Sequence, residues 1–188
     1  MILFSTIQFV RNKLNAYFRN TSRWAEDKAI VANVAGVQAG SDPEFSDKLL
    51  ISLAHMNIEY SLFNQHGKVS NGEQFNRVPS PLTFNVDLLF SASANKYEES
   101  LKLLSDTIAF FQSNHFYDSS NSSGLPEGVQ KLSLSVLDLD YHESSQLWSR
   151  LGAKYVPSVL YRMRLVVFDS AEVKEVVPSI SSGRVSDN

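Results

Sequence analysis

The stretch TFNVDLLF, residues 83–90, decides how this chain folds, because polar and apolar side chains alternate along it at the period of a β-strand. Successive side chains of a strand point to opposite faces of the sheet. One side of this strand therefore collects four large apolar residues, Phe84, Val86, Leu88 and Phe90. We expect that side to pack against a hydrophobic core.

Two segments carry apolar residues at three- and four-residue steps, which is the spacing of an amphipathic helix. The segment after the strand, residues 95–112, has its predicted stripe at Tyr97, Leu101, Leu104, Ile108 and Phe111. The first twenty residues have theirs at Leu3, Ile7, Val10, Leu14 and Tyr17. Both patterns predict helices, each of which packs its apolar face against a sheet.

Two segments before residue 83 have the composition of strands. AIVANV, residues 29–34, is short and β-branched, and Gly36, Gly40 and Pro43 after it predict a loop. KLLISLAHMNIEY, residues 48–60, is apolar on both sides, which is typical of a central strand covered on both faces. Its two predicted sides are Leu49, Ile51 and Leu53 on one face, and Leu50, Ala54, Met56 and Ile58 on the other.

The C-terminal half predicts two strands with a helix between them. The strands are VQKLSLSVLDLD, residues 129–140, and SVLYRMRLVVF, residues 158–168. HESSQLWSRLG, residues 142–152, has the composition of a short helix that its final glycine, Gly152, stops. Of two polar stretches, residues 64–81 predict a long loop or a hairpin, and residues 113–128 predict a loop.

The predicted order of elements is helix, strand, strand, strand, helix, strand, helix, strand. This order indicates an α+β fold, or α/β sandwich, in which helices flank a mixed, mainly antiparallel sheet. We expect a single domain over residues 1–169, because 188 residues with 43% hydrophobic side chains are enough for one core of ordinary size. Residues 170–188 are expected to form a polar tail with one extra short strand.

Composition excludes several classes of partner. The chain has 17 basic and 20 acidic side chains and a net charge of -3, so neither nucleic acid nor an anionic membrane surface is an expected partner. It has no cysteine, which excludes disulfides and thiolate chemistry and suits a reducing cytosol. The first residues lack the basic region and cleavage site of a signal peptide, and no apolar run approaches the roughly 20 residues of a membrane span. We expect synthesis in the cytoplasm and no membrane insertion.

Residue types that carry catalysis are present, but not in catalytic spacing. No two of the histidines stand at the i, i+4 spacing of a helical zinc site; they are His55, His66, His115 and His142. Asp138 and Asp140 stand two residues apart at a strand end, where polar side chains are expected in any protein. We therefore expect no catalysis, no metal and no cofactor. A small hydrolase using His55, Asp138 or His142 is the weaker alternative.

The candidate functional residues are instead those of a core or an interface: Trp148, Tyr155, Pro157, Arg162 and Arg164. Trp148 is most simply a core or interface aromatic, and Tyr155 and Pro157 shape the entry to the last strand. Arg162 and Arg164 share one face of a strand whose other face is apolar. They either lie on a solvent-exposed sheet face or form a basic row that meets an acidic partner subunit.

Three stretches of this sequence resemble the cap, or tail-terminator, family of extracellular contractile injection systems. They are FVRNKLNAYFR (residues 9–19), LKLLSDTIAFFQSN (residues 101–114) and GVQKLSLSVLDLDYHESSQLWSRLGAKYVPSVLYRMRLVV (residues 128–167). Such systems are phage-tail-like particles of the antifeeding-prophage and virulence-cassette type. The resemblance rests chiefly on the block from Trp148 to the last strand.

The resemblance implies a phage tail-terminator-like fold and a structural, non-catalytic role. A protein of this kind forms a ring, typically a homohexamer, that sits on the last inner-tube and sheath rings and ends their polymerisation. Its implied partners are further copies of itself and the tube and sheath subunits, and its implied location is an assembled particle of the extracellular type. The alternative within the same particle is a baseplate or tube-initiation adaptor.

Overall fold

Six strands form the sheet that organises the described part of the chain. The structure is a computed structural model and describes residues 1–21, 24–39, 45, 47–59, 67–71, 74–78, 82–167 and 176–178. Its helices are α1 (Ile2–Asn20), α2 (Val34–Ala39), α3 (Tyr97–Ser113) and α4 (Tyr141–Leu151). Its strands are β1 (Ala29–Val31), β2 (Lys48–Glu59), β3 (Gly67–Asn71), β4 (Gln74–Val78), β5 (Leu82–Ser93), β6 (Phe116–Asp118), β7 (Val129–Leu137), β8 (Ser158–Val167) and β9 (Val176–Pro178).

The six-stranded sheet has the order β1-β2-β5-β8-β7-β6. Strand β1 runs parallel to β2, and the other neighbouring pairs are antiparallel. The predicted mixed, mainly antiparallel sheet flanked by helices is therefore confirmed. A smaller sheet, β3-β4-β9, contains the hairpin that was one of two alternatives for residues 64–81, and the extra strand predicted in the tail. The remainder of residues 170–188 lies outside the described residues.

Helices α1 and α3 cover one face of the six-stranded sheet, which we call the α1/α3 face. Val86, Leu88 and Phe90 of β5 are buried there, as the alternation of residues 83–90 predicts. The ring centroid of Phe111, on α3, lies 5.1 Å from that of Phe90 and 4.7 Å from that of Tyr161 on β8. Aromatic pairs at these distances contribute about 1 kcal/mol each beyond the apolar area that they bury.

A buried asparagine joins α1 to the edge strand β1. The side chain of Asn15 donates to the Ala29 carbonyl at 2.9 Å and accepts from the Ala29 amide at 2.8 Å. Both polar groups of the amide are thus satisfied away from water, as buried polar groups require. The contact fixes α1 along the β1 side of the sheet.

Helix α4 covers part of the opposite face, which we call the α4 face. A smaller core lies beneath it, formed by Val34, Leu50, Leu89, Leu147, Trp148 and Leu160. Because side chains alternate along each strand, Leu89 and Leu160 point away from the larger core. Farther along these strands on the same face, Thr83 and Asp87 are buried, Asn85 and Arg162 are half-buried, and Arg164 is exposed. In the described part of the chain, we call this partly exposed region the open half of the α4 face.

Strand β2 departs from the predicted alternation at a β-bulge. Its register against β5 shifts between Leu53 and His55. Met56 and Ile58, predicted to share a side with Leu50, lie instead on the α1/α3 face; their partners on β5 are Val86 and Phe84. That prediction is wrong because one extra residue inverts the alternation of everything beyond it.

Helix α3 buries a different stripe from the predicted one. Tyr97, Leu101 and Ile108 are exposed. The residues that α3 buries are Ser100, Leu103, Leu104, Asp106, Thr107, Phe110 and Phe111. Phe110 and Phe111 are adjacent and both enter the core. The helix is therefore rotated about its own axis, relative to the prediction, so that these two residues lie near the centre of its buried face. The predicted stripe is therefore correct only at Leu104 and Phe111.

Two short elements are missing from the predicted order. Helix α2 begins at Val34 and contains Gly36, where a loop is predicted; Gly40 and Pro43 lie outside the described residues. Strand β6 falls within residues 113–128, which are also predicted to be a loop. Three residues are too few to show a period, so no pattern in the sequence indicates β6. Strand β8 ends at Val167, and Phe168 is not among the described residues.

Candidate functional site

A capping box at one end and a glycine at the other fix where α4 begins and ends. The Asp140 carboxylate accepts from the Glu143 amide at 2.8 Å, and the Glu143 side chain accepts from the Asp140 amide at 3.1 Å, which forms a capping box. Gly152 ends the helix with a φ of 66°, as the sequence predicts. Near that end, Arg150 approaches the Ala54 carbonyl of β2 at 3.4 Å. Helix α4 therefore runs from the end of β7 to β2.

The aromatic pair Trp148 and Tyr155 lies where α4 meets the start of β8. Trp148 is buried in the smaller core, whereas Tyr155 is exposed. Their ring centroids are 5.5 Å apart in an edge-on arrangement. Both rings line a pocket of about 490 Å³ together with residues of β7 and β8. The structure thus places Trp148 in the core and Tyr155 at the surface above it.

Pro157 holds the start of β8 against β5. Its carbonyl accepts a hydrogen bond of 2.9 Å from the Ala92 amide. A proline cannot donate such a bond, but its carbonyl can accept one, and the residue precedes the first residue of the strand. Pro157 therefore continues the β5–β8 pairing by one bond before the strand begins.

On the open half of the α4 face, Arg162 pairs with a buried carboxylate of its own chain. Its Nε donates to Asp87 Oδ1 at 2.8 Å, and its Nη2 donates to Asp87 Oδ2 at 3.0 Å. This two-point arrangement is the strong form of an arginine–carboxylate contact. Hydrogen bonding to Asp87 raises the pKa of the Arg162 guanidinium, and desolvation opposes the shift only in part. Asp87 is buried, so the pair anchors the middle of the sheet.

Arg164 also has a partner within the chain. Its Nη2 lies 3.0 Å from the Glu59 carboxylate, at the end of β2. Arg162 and Arg164 share the α4 face, and Tyr161 and Met163 are buried on the other, as the alternation of the last strand predicts. Each arginine of the proposed basic row therefore meets an acidic residue of its own chain. A contact with a partner subunit stays a prediction for both residues.

The open half of the α4 face also contains a polar pocket beside His55. This pocket, about 420 Å³ in volume, is lined by His55, Asp87, Asp138, Glu143 and Arg150 among others. No serine, threonine or tyrosine hydroxyl of the described residues lines it, and Asp87 is engaged by Arg162. His142 bonds instead to Gln146 on the exposed side of α4, at 2.8 Å. His55 and Asp138 are thus brought to one pocket without a nucleophile beside them.

The described part of the chain shows the features of neither a metal site nor a membrane-spanning helix. Within it, no three or more histidine, aspartate or glutamate side chains are grouped so that they could hold a metal ion. Among the same residues, no helix combines the length and the apolar character that crossing a membrane requires.

Sequence reasoning missed the two acidic partners of the arginines. Asp87 carried a signal, because it is a single charged residue within the otherwise uncharged strand TFNVDLLF. A carboxylate at such a position needs a cation across the sheet, and β8 is the strand that contains arginines at alternate positions. Glu59 carried none, because the bulge in β2 determines which face it shares.

Two solved structures of terminator proteins share this fold. A sheath and tube terminator of the PVC extracellular contractile injection system, in its extended state, superposes with a TM-score of 0.59 at 13% identity, covering 97% of this chain and 64% of that chain. The tube-terminating cap of the anti-feeding prophage gives a TM-score of 0.58 at 13% identity, covering 94% and 60%. The chain thus spans less than two thirds of either protein, and the likeness confirms the predicted tail-terminator-like fold.

Sequence comparison points the same way. Among curated proteins, none matches the sequence significantly. The model of the family described as the Pvc16 N-terminal domain matches residues 5–182. That match takes in more than nine tenths of the chain, and the predicted family resemblance is confirmed. The protein therefore belongs to the Pvc16 N-terminal domain family.

Proposed function

We propose that this protein is a structural cap, which sits as a ring on the last subunits of an inner tube and its sheath and ends their growth. The observation that carries the proposal is the shared fold with two tube-terminating proteins over nearly the whole of this chain. Membership of the Pvc16 N-terminal domain family supports it independently. The proposed particle is an extracellular contractile injection system.

The proposed assembly is a homohexamer, whose partners are its own copies and the tube and sheath subunits. A polymer of identical subunits grows until something binds its end without offering the same surface again. A protein with that role acts through the shape of its interfaces. Polar pairs that fix the sheet, such as Asp87 with Arg162, serve this role because they keep the surface rigid.

The titratable groups of the described residues support a structural role over a catalytic one. Catalytic groups need a nucleophile and a base within hydrogen-bond reach, or a matched acid and base. The lining of the pocket at His55 contains no serine, threonine or tyrosine hydroxyl, and its buried carboxylate, Asp87, is held by Arg162. The two similar solved structures are described as a sheath and tube terminator and as a tube-terminating cap.

The mass and the position of the protein test this proposal together. In solution or released from particles, the ring should have a mass near six times 21.1 kDa. A gold label on this protein should mark one end of the particle, the end away from the baseplate, whereas the same label on the tube subunit marks the full length. A label at the baseplate end would contradict the cap function and favour the alternative, a baseplate or tube-initiation adaptor. A monomer that never joins the particle would contradict both.

A further inference from the structure

The exposed large apolar side chains of the sheet lie at its two opposite edges. At the β2 edge they are Val31, Leu53, Met56 and Ile58, which we call the β2 edge surface. At the other edge they are Phe116 and Val136, and Tyr155, exposed just before β8, lines a pocket with Val136; we call these three residues the β7 edge surface. Exposed apolar groups collected at an edge mark an interaction surface more strongly than scattered ones do. The two surfaces differ in composition.

Both edges also leave backbone groups without a neighbouring strand. Strand β1 pairs only with Leu49–Ile51 of the twelve-residue β2, and β6 pairs only with residues 131–133 of the nine-residue β7. The Leu134 amide extends the second pairing by one bond, to the His115 carbonyl. In the part of the chain that the structure describes, no strand pairs with the outer side of either strand beyond these points. Uncovered edges of this kind accept an additional strand.

The two edges fit each other in direction. Three successive antiparallel pairings separate β2 from β7, so these two strands run in opposite directions. If β7 of one copy lies beside β2 of the next copy, the new pair is antiparallel and continues the sheet. One row of paired residues crosses the sheet from His55 through Asp87 and Arg162 to Ser135. No described strand pairs with the outer side of His55 or of Ser135. The two uncovered stretches therefore lie at the same level along the strands.

Val136 of the β7 edge surface lies on the same face as Leu53 and Met56 of the β2 edge surface, whereas Phe116 lies on the α4 face. Met56 is paired with Val86, and Val136 is paired with Tyr161, and the partners Val86 and Tyr161 both belong to the larger core. Residues paired across antiparallel strands point to the same face. Edge-to-edge association would therefore place Val136 of one copy against Leu53 and Met56 of the next.

On the other face, α4 presents opposite charges at the two edges. Arg150, near its C-terminal end, is exposed beside β2. Asp138, Asp140 and Glu143, at the N-terminal side, are exposed just after β7. The same association that joins the apolar residues would bring Arg150 of one copy toward these carboxylates of its neighbour. Complementary charge of this kind selects the partner and its register.

We infer that the copies in the ring join edge to edge, with the β2 edge surface of one copy against the β7 edge surface of the next. The occupant of each surface is a second copy of this chain. Because the two surfaces differ, the contact is head to tail, and such a contact forms a ring where its rotation closes; a single self-complementary surface would stop at a dimer. This inference rests on the proposed cap function and assigns its subunit interface.

Disulfide cross-linking tests the contact in a chain that has no cysteine of its own. We would prepare Met56→Cys with Val136→Cys, and Leu53→Cys with Val136→Cys, because either pair can fall within the Cα separation of roughly 4.4 to 6.8 Å that a disulfide needs. Oxidation of at least one double variant should give a ladder of covalent oligomers up to the ring. The single variants should give none. Strong dimers from Met56→Cys alone, or no ladder from either double variant in an intact ring, would overturn the assignment.

Charge insertion provides a matched second test. Met56→Lys with Ile58→Lys changes residues that are 44% and 36% exposed, and the control Leu101→Lys with Ile108→Lys changes residues of α3 that are 44% and 38% exposed. Both double variants should keep the far-UV circular dichroism of the parent. The edge variant should associate about 30-fold more weakly or worse, as for the loss of an interface hot spot, and the α3 variant should associate as the parent does.

The behaviour of the parent chain distinguishes a failure of the interface assignment from a failure of the proposed cap function. If the parent forms rings and the edge variant forms them equally well, the interface assignment is wrong and the cap function stands. If the parent forms no ring, alone or on the particle, the proposed function fails and the interface with it. A loss of rings in the edge variant alone supports both.

Discussion

Replacing Arg162 with alanine should destabilise the fold, although the arginine lies at the surface of the sheet. Its partner is the Asp87 carboxylate, whose side chain is only 8% exposed and which accepts from the guanidinium at 2.8 and 3.0 Å. The substitution leaves that carboxylate buried without a cation. The unfolded state has no such cost, because there the carboxylate is hydrated.

The magnitude follows from the burial of the two partners. Breaking a fully buried ion pair costs about 3 to 5 kcal/mol. The Arg162 side chain is 40% exposed, so water can reach part of the space that it leaves, and we expect about 2 to 3 kcal/mol. Arg164 is the matched control, since both it and Glu59 are more exposed, and Arg164→Ala should cost about 0 to 1 kcal/mol.

Urea unfolding of both variants measures this difference. The measurement should be made at two protein concentrations, because assembly into a ring adds stability that depends on concentration. The double variant Asp87→Asn with Arg162→Ala should be more stable than Arg162→Ala alone, since it removes the unpaired charge. Equal stability of Arg162→Ala and Arg164→Ala would refute the reasoning. So would a double variant that is no more stable than Arg162→Ala alone.

Three further predictions concern the core, the α4 cap and pH. Trp148→Ala should destabilise the fold by about 3 to 5 kcal/mol in urea unfolding, because it empties the smaller core, whereas Tyr155→Ala should cost about 1 kcal/mol. Asp140→Ala removes the capping box and should cost about 1 kcal/mol, measured in the same way; an unchanged midpoint would show that the cap does not stabilise α4. Burial raises the pKa of Tyr117 to about 12. Because the folded state then holds the phenol proton more tightly, stability should be constant below about pH 10 and fall as the pH rises toward 12, and Tyr117→Phe should show a smaller fall.

The regular parts of the fold could be predicted because local alternation determines them. Residues 83–90 and the apolar side of β8 lie as their period of two requires, and Gly152 stops α4 where the sequence indicates. Features that depend on one extra residue or on a distant partner could not be predicted. The bulge in β2 reverses Met56 and Ile58 without any glycine or proline to mark it.

The candidate site also has features that the sequence predicts and features that it does not. The alternation placed Arg162 and Arg164 on one face correctly, but their partners Asp87 and Glu59 come from two other strands. Sequence alone does not give the register between strands, so it could not distinguish an arginine paired within the chain from one that faces a neighbour. The sequence also could not show which sheet edges are uncovered, because tertiary pairing sets the lengths of β1 and β6.

The length distribution of tubes and sheaths in cells that lack this protein tests whether it ends their polymerisation. Particles should be purified from the parent strain, from the deletion strain and from the deletion strain carrying the gene on a plasmid, and their lengths measured by electron microscopy. Without a terminal ring, addition of subunits has no fixed stop. We predict a broad, irregular distribution in the deletion strain and restoration by the plasmid copy. An unchanged narrow distribution in the deletion strain would contradict the terminator role.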